Sequence, residues 1–136
     1  MTGISVKAFF IAFTVFIVTD MIWLVWIAKN LYISHYRPWL RLSGDNLQPI
    51  WWAALFIYVL FALAMVFFIL PLAGSSVLAA VGYGALLGAI VYGVYDFTCL
   101  AIFKDFPVGM AFFDWAWGTV LFAFASAVTW HFSHYA

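Results

Sequence analysis

Four stretches of this chain stay apolar for about twenty residues each, which restricts the fold before any motif is read. They cover residues 9–28, 50–70, 77–100 and 109–131. At about 1.5 Å of rise per residue, a helix over any of them crosses a hydrocarbon core roughly 30 Å thick. Hydrophobic residues make up 69% of the 136, and charged residues only 7%, so little polar surface remains to coat a water-soluble domain. In lipid a continuous apolar run satisfies its own backbone groups as a helix. The chain therefore reads as an all-α integral membrane protein, a four-transmembrane-helix bundle forming one domain over residues 1–136. Lys7 ahead of an apolar run resembles the start of a signal peptide. The run continues past Asp20 to Ala28 without a small-residue cleavage site and is read as a retained helix.

Pro71 and Gly74-Ser75-Ser76 mark a tight turn between the second and third spans, and Phe106-Pro107-Val108-Gly109 another between the third and fourth. The first connection, 29–49, is the one long loop. Its mixture of charge with Tyr32, Tyr36, Trp39, Leu40 and Leu42 suits a short amphipathic piece lying in the interface. Lys29, Arg37, Arg41 and Lys104 fall in loops one and three, against Lys7 on the terminal side. Charge bias thus places those loops in the cytoplasm and both termini outside.

The chain has no Glu, and three of its five acids, Asp20, Asp96 and Asp114, lie inside the spans. An aspartate at mid-helix costs roughly 2.5–3.5 kcal/mol to insert, so each needs a partner, a proton or a purpose. Helical rise places Asp20 about 12 Å, Asp96 about 6 Å and Asp114 about 7.5 Å from the face that carries loops one and three. Seven of the eight tryptophans share that half, Trp130 being the exception. Interfacial anchoring alone would distribute them over both ends of the spans.

The first and fourth spans repeat Asp-x-x-Trp, as Asp20…Trp23 and Asp114…Trp117, a spacing that places both side chains on one helix face. In antiparallel neighbours Asp20 is level with Trp117, and Asp114 with Trp23, so each carboxyl can meet the opposite indole N–H. Such contacts are either polar glue between helices or the wall of a polar pocket. The third span adds Tyr92, Tyr95, Asp96 and Thr98 near the same end. Its Gly84-x-x-x-Gly88 face serves helix packing in the bundle or, alternatively, a homodimer interface.

Zero formal net charge and the lack of a basic stripe give nucleic-acid binding no electrostatic support. Cys99 is the single cysteine, which excludes an intrachain disulfide and a cysteine zinc site. His131 and His134 lack a third ligand, and nothing in the spacing brings His35 to the aspartates. No metal and no cofactor are expected. Neither a Ser-His-Asp arrangement nor a phosphate-binding loop is present.

Three segments, Tyr95-Asp96-Phe97-Thr98-Cys99-Leu100-Ala101, Lys104-Asp105-Phe106-Pro107 and Asp114-Trp115-Ala116-Trp117-Gly118-Thr119, make the chain resemble the DUF2177 family of small four-span bacterial membrane proteins. Asp20-x-x-Trp23-Leu24 and the run from Pro49 through Trp52-Ala53-Ala54 to Tyr58 extend the likeness over essentially the whole chain. One departure is Cys99, where the family pattern has Asn. The resemblance implies a multi-pass protein of the bacterial inner membrane and no settled activity.

These residues are expected to line an intramembrane pocket open to the cytoplasmic face. Asp20 would form its floor, Asp96 and Asp114 its wall, and Trp23, Tyr92, Tyr95, Thr98 and Trp117 its lining. Carboxylates and aromatic faces both favour cations, so the expected partner is a membrane lipid or an amphipathic small molecule with a polar or cationic head. The rival readings are a lipid-modifying acid/base enzyme, a small proton-coupled transporter and a purely structural protein.

Overall fold

The computed structural model describes residues 3–44 and 46–135. Helix α1 (Gly3–Met21) widens into a π-helical stretch at Ile22–Ile27, closed by a bond from the Ala28 N–H to the Trp23 carbonyl at 2.7 Å. The chain then turns into α2 (Lys29–Tyr36), a short 3₁₀ turn at Arg37–Trp39, and an antiparallel pair, β1 (Leu42–Ser43) and β2 (Asn46–Leu47). Gly44 supplies the positive φ of 62° that this hairpin requires. Loop one is therefore part helix, as its amphipathic composition suggests, and part hairpin.

Helix α3 (Trp51–Ala64) passes through a second π-helical stretch, Met65–Ile69, into α4 (Leu70–Ala73). Pro71 does not end this span. It is the second residue of α4, one residue past the π-helical stretch, near the start of a helical segment where a missing N–H breaks little. The turn comes at Gly74, with φ of 59°, and Ser76 caps α5 (Val77–Ile102) by accepting from the Ala79 N–H at 3.1 Å. Helix α6 (Val108–Tyr135) completes the chain.

Among the described residues, four helices are long and apolar enough to cross a membrane, at Val6–Ile27, Trp51–Ala73, Val77–Ile102 and Val108–His134. These match the four expected spans within a few residues at each end, and the protein is a multi-pass, four-helix membrane protein.

Helix α6 packs along α5 and against α1, and α1 also packs on α3. Phe16, Phe61, Met65, Leu121 and Phe122 fill the centre. The α5–α6 contact is close because its residues are small. A Cβ on Gly84 would meet the Phe122 carbonyl at 2.7 Å, one on Gly88 would meet the Phe122 Cβ at 2.6 Å, and Gly118 lies under the ring of Tyr92. The Gly84/Gly88 face is thus engaged by the chain's own α6.

Candidate functional site

Asp20, near the end of α1, accepts two hydrogen bonds. The Tyr58 hydroxyl on α3 donates to Oδ2 at 2.6 Å, and the Trp117 indole on α6 donates to Oδ1 at 3.0 Å. The match of Asp20 with Trp117, expected from the antiparallel repeat, is present. The reciprocal match is not direct. The Trp23 indole donates to the Tyr32 hydroxyl at 3.1 Å, and Tyr32 in turn donates to Asp114 Oδ1 at 2.6 Å. Helix α2 folds back over the ends of the spans and inserts a phenol between the two partners. The π-helical stretch at Ile22–Ile27 carries Trp23, which stacks on Trp117.

Asp96 is different. It is fully buried on α5, and among the described residues neither carboxyl oxygen has a hydrogen-bond donor within reach. The polar group it meets is another carboxyl, that of Asp114. Interhelical polar contacts in membranes contribute about 0.6 kcal/mol on average, against roughly 2.5–3.5 kcal/mol to place an aspartate at mid-helix. Asp20 and Asp114 offset part of that cost with donors. Asp96 has no such compensation, so polar glue does not account for it.

On α2, outside the spans, burial raises the Tyr32 phenol well above the ordinary tyrosine value, and the neighbouring Asp114 carboxylate raises it further. Tyr36 moves the same way, first through burial and then through Asp114 and Asp96. Both remain protonated across the physiological range, so Tyr32 is a standing donor to Asp114.

A cavity of about 680 Å³ lies beside these acids. Asp20, Asp114, Tyr58, Tyr92 and Tyr95 supply its polar wall, and Leu24, Val25, Ile57 and Leu60 are among its apolar lining. Val25, Ile57 and Leu60 are also exposed on the lipid-facing side of the first and second spans. At the loop-one end the cavity is bounded by Lys29, Asn46 and Leu47, and the Lys29 ammonium donates to Asn46 Oδ1 at 3.3 Å.

Of the residues singled out from sequence, Asp20, Tyr92, Tyr95 and Asp114 line this cavity. Trp23 and Trp117 are not part of the wall: Trp117 donates to Asp20, and Trp23 reaches Asp114 only through Tyr32. Asp96 is not on the wall but buried behind it. Thr98 is exposed, because it sits two residues beyond Asp96 and so on nearly the opposite side of the helix. Tyr58 and Tyr32, the donors to Asp20 and Asp114, were not singled out. Tyrosines near span ends look like interfacial anchors, and nothing local marks a carboxylate partner 38 or 82 residues away. Among the described residues, no group of three His, Cys, Asp or Glu side chains is placed to hold a metal ion.

The family model described as "Predicted membrane protein (DUF2177)" matches residues 5–131. No curated protein and no solved structure matches the chain.

Proposed function

This chain belongs to the DUF2177 family, whose description assigns no activity, and we propose from its site that it binds an amphiphile with an ammonium head and an alkyl tail. The observation that carries this reading is the pairing of Asp20 and Asp114 on the wall of an otherwise aromatic and aliphatic cavity. Carboxylates and tyrosine faces attract an ammonium group, and a low dielectric strengthens both attractions. A cavity of this volume falls within the range of ligand sites. The occupant is drawn from the bilayer, its head against Asp20 and Asp114 and its tail leaving between the first and second spans past Val25, Ile57 and Leu60.

The same reading places the protein in the bacterial inner membrane with loops one and three cytoplasmic. Lys29, Arg37, Arg41 and Lys104 support that orientation. A Ser43→Cys variant in a Cys99→Ala background should resist a membrane-impermeant thiol reagent applied to intact cells, and labelling from outside would reverse it.

The binding test uses protein in anionic-lipid nanodiscs with dodecyltrimethylammonium below its micellar concentration. At a hundredfold excess over Kd, wild type should gain about 2.7 kcal/mol of stability. Asp20→Asn should lose most of that gain. Replacing the added cation with phosphatidylethanolamine in the bilayer asks whether a lipid headgroup serves as well. Equal stabilisation by uncharged dodecanol would overturn the reading.

A further inference from the structure

We propose that Asp96 and Asp114 form a proton-exchange site, in which a cationic head arriving at Asp114 expels one proton that the two carboxyls hold between them. The inference rests on the binding reading above and adds that binding is coupled to a proton.

Asp96 is fully buried, and among the described residues neither of its oxygens has a donor, yet it faces the carboxyl of Asp114. Two ionised carboxylates in contact at low dielectric repel, and one of these would also have no hydrogen bond at all. A single proton between them turns the contact into an O–H···O⁻ hydrogen bond and satisfies Asp96. Asp114 keeps its hydrogen bond from Tyr32 at 2.6 Å and its place on the cavity wall. The pair therefore has one member that a ligand can touch and one that it cannot.

The titratable groups around the pair come from every element packed on it. Tyr32 and Tyr36 face it from α2, Tyr92, Tyr95 and Cys99 from α5 and Asp20 from α1, while Tyr58 on α3 is engaged by Asp20 rather than by the pair. All are acids, so none of them can stand in for the proton as a positive charge. Lys29, which shares the cavity, directs its ammonium to Asn46 on the hairpin.

The exchange balances. Before binding, the pair carries one proton and one negative charge. When the head group arrives, the O–H bond breaks, the proton leaves to water at the loop face, and the pair's second negative charge is matched by the ligand's positive one. Asp96 does not touch the ligand. It acts through Asp114.

The experiment is calorimetric titration of the protein in nanodiscs with dodecyltrimethylammonium, at one pH, in phosphate and in Tris. Because the two buffers differ in ionisation enthalpy, the difference in observed heat counts protons released. Wild type should release about one proton per cation bound, and its affinity should rise about tenfold per pH unit while the pair is protonated. Asp96→Asn should still bind but release none. Wild-type binding without proton release, or undiminished release from Asp96→Asn, would overturn the proposal. If the cation does not bind at all, the binding reading fails, and infrared spectroscopy then tests the pair alone. A protonated-carboxyl C=O band at neutral pH, lost in Asp96→Asn, supports a shared proton, and its absence from wild type rules one out.

Discussion

Trp23 and Trp117 stack face to face between the first and fourth spans, with ring centroids 4.1 Å apart and planes 6° from parallel. Each lies three residues after an aspartate of its own helix, and each indole N–H is directed to the polar group of another element. The stack joins two hydrogen-bonded chains, Tyr58–Asp20–Trp117 on one side and Trp23–Tyr32–Asp114 on the other. It holds both cavity acids in position without itself lining the cavity.

The link from Trp117 to Asp20 can be isolated by a double-mutant cycle with Trp117→Phe and Asp20→Asn, read as thermal or denaturant stability in detergent. Trp117→Phe keeps an aromatic ring over Trp23 but removes the donor. The expected coupling is about 0.6–1.7 kcal/mol, the usual range for hydrogen bonds between membrane helices. Strictly additive single mutants would mean that the bond contributes nothing.

Close approach of α5 and α6 gives a second, sharply local expectation. Gly118 lies against the Tyr92 ring, whereas Gly82 has nothing within 4 Å of where a Cβ would stand. Gly118→Ala should destabilise by about 1–3 kcal/mol, the range for overpacked cores, and displace Tyr92 from the cavity wall. Gly82→Ala should leave stability unchanged or raised. Equal melting temperatures for the two variants would contradict the packing described.

Alkaline titration tests the surroundings of α2. Tyr32 and Tyr36 both have folded-state values raised above the ordinary tyrosine value near 10, by burial first and by the nearby carboxylates second. A raised value means that the native state holds its proton more tightly than the unfolded state. Their contribution to stability is thus complete below pH ~10 and is lost as pH rises beyond it toward the folded-state values. Phenolate absorbance should show these two tyrosines ionising only with unfolding. Asp114→Asn should bring Tyr32 down. Ionisation of Tyr32 at its ordinary value in folded protein would contradict its burial against Asp114.

The spans were legible because apolar length is a property of the sequence alone. The pairing of Asp20 with Trp117 was legible too, since antiparallel helices with the same three-residue spacing bring those levels together. Its counterpart was not, because the intervening Tyr32 depends on how a long loop folds back over the spans. The hidden position of Asp96 rests on the tertiary contact between α5 and α6, to which Gly84, Gly88 and Gly118 give access. Thr98 is the opposite case. Its two-residue offset from Asp96 already directs it away from that face, and the density of polar residues in the segment masked the periodicity.

The most direct measurement of the central claim is photo-crosslinking with an alkyltrimethylammonium probe that carries a diazirine in its tail, followed by mapping of the labelled residues. Binding by Asp20 and Asp114 predicts label concentrated on Leu24, Val25, Ile57 and Leu60, reduced at least severalfold in Asp20→Asn and displaced by unlabelled dodecyltrimethylammonium. Label spread evenly over lipid-facing residues such as Phe10 and Phe124, and unchanged in Asp20→Asn, would contradict it.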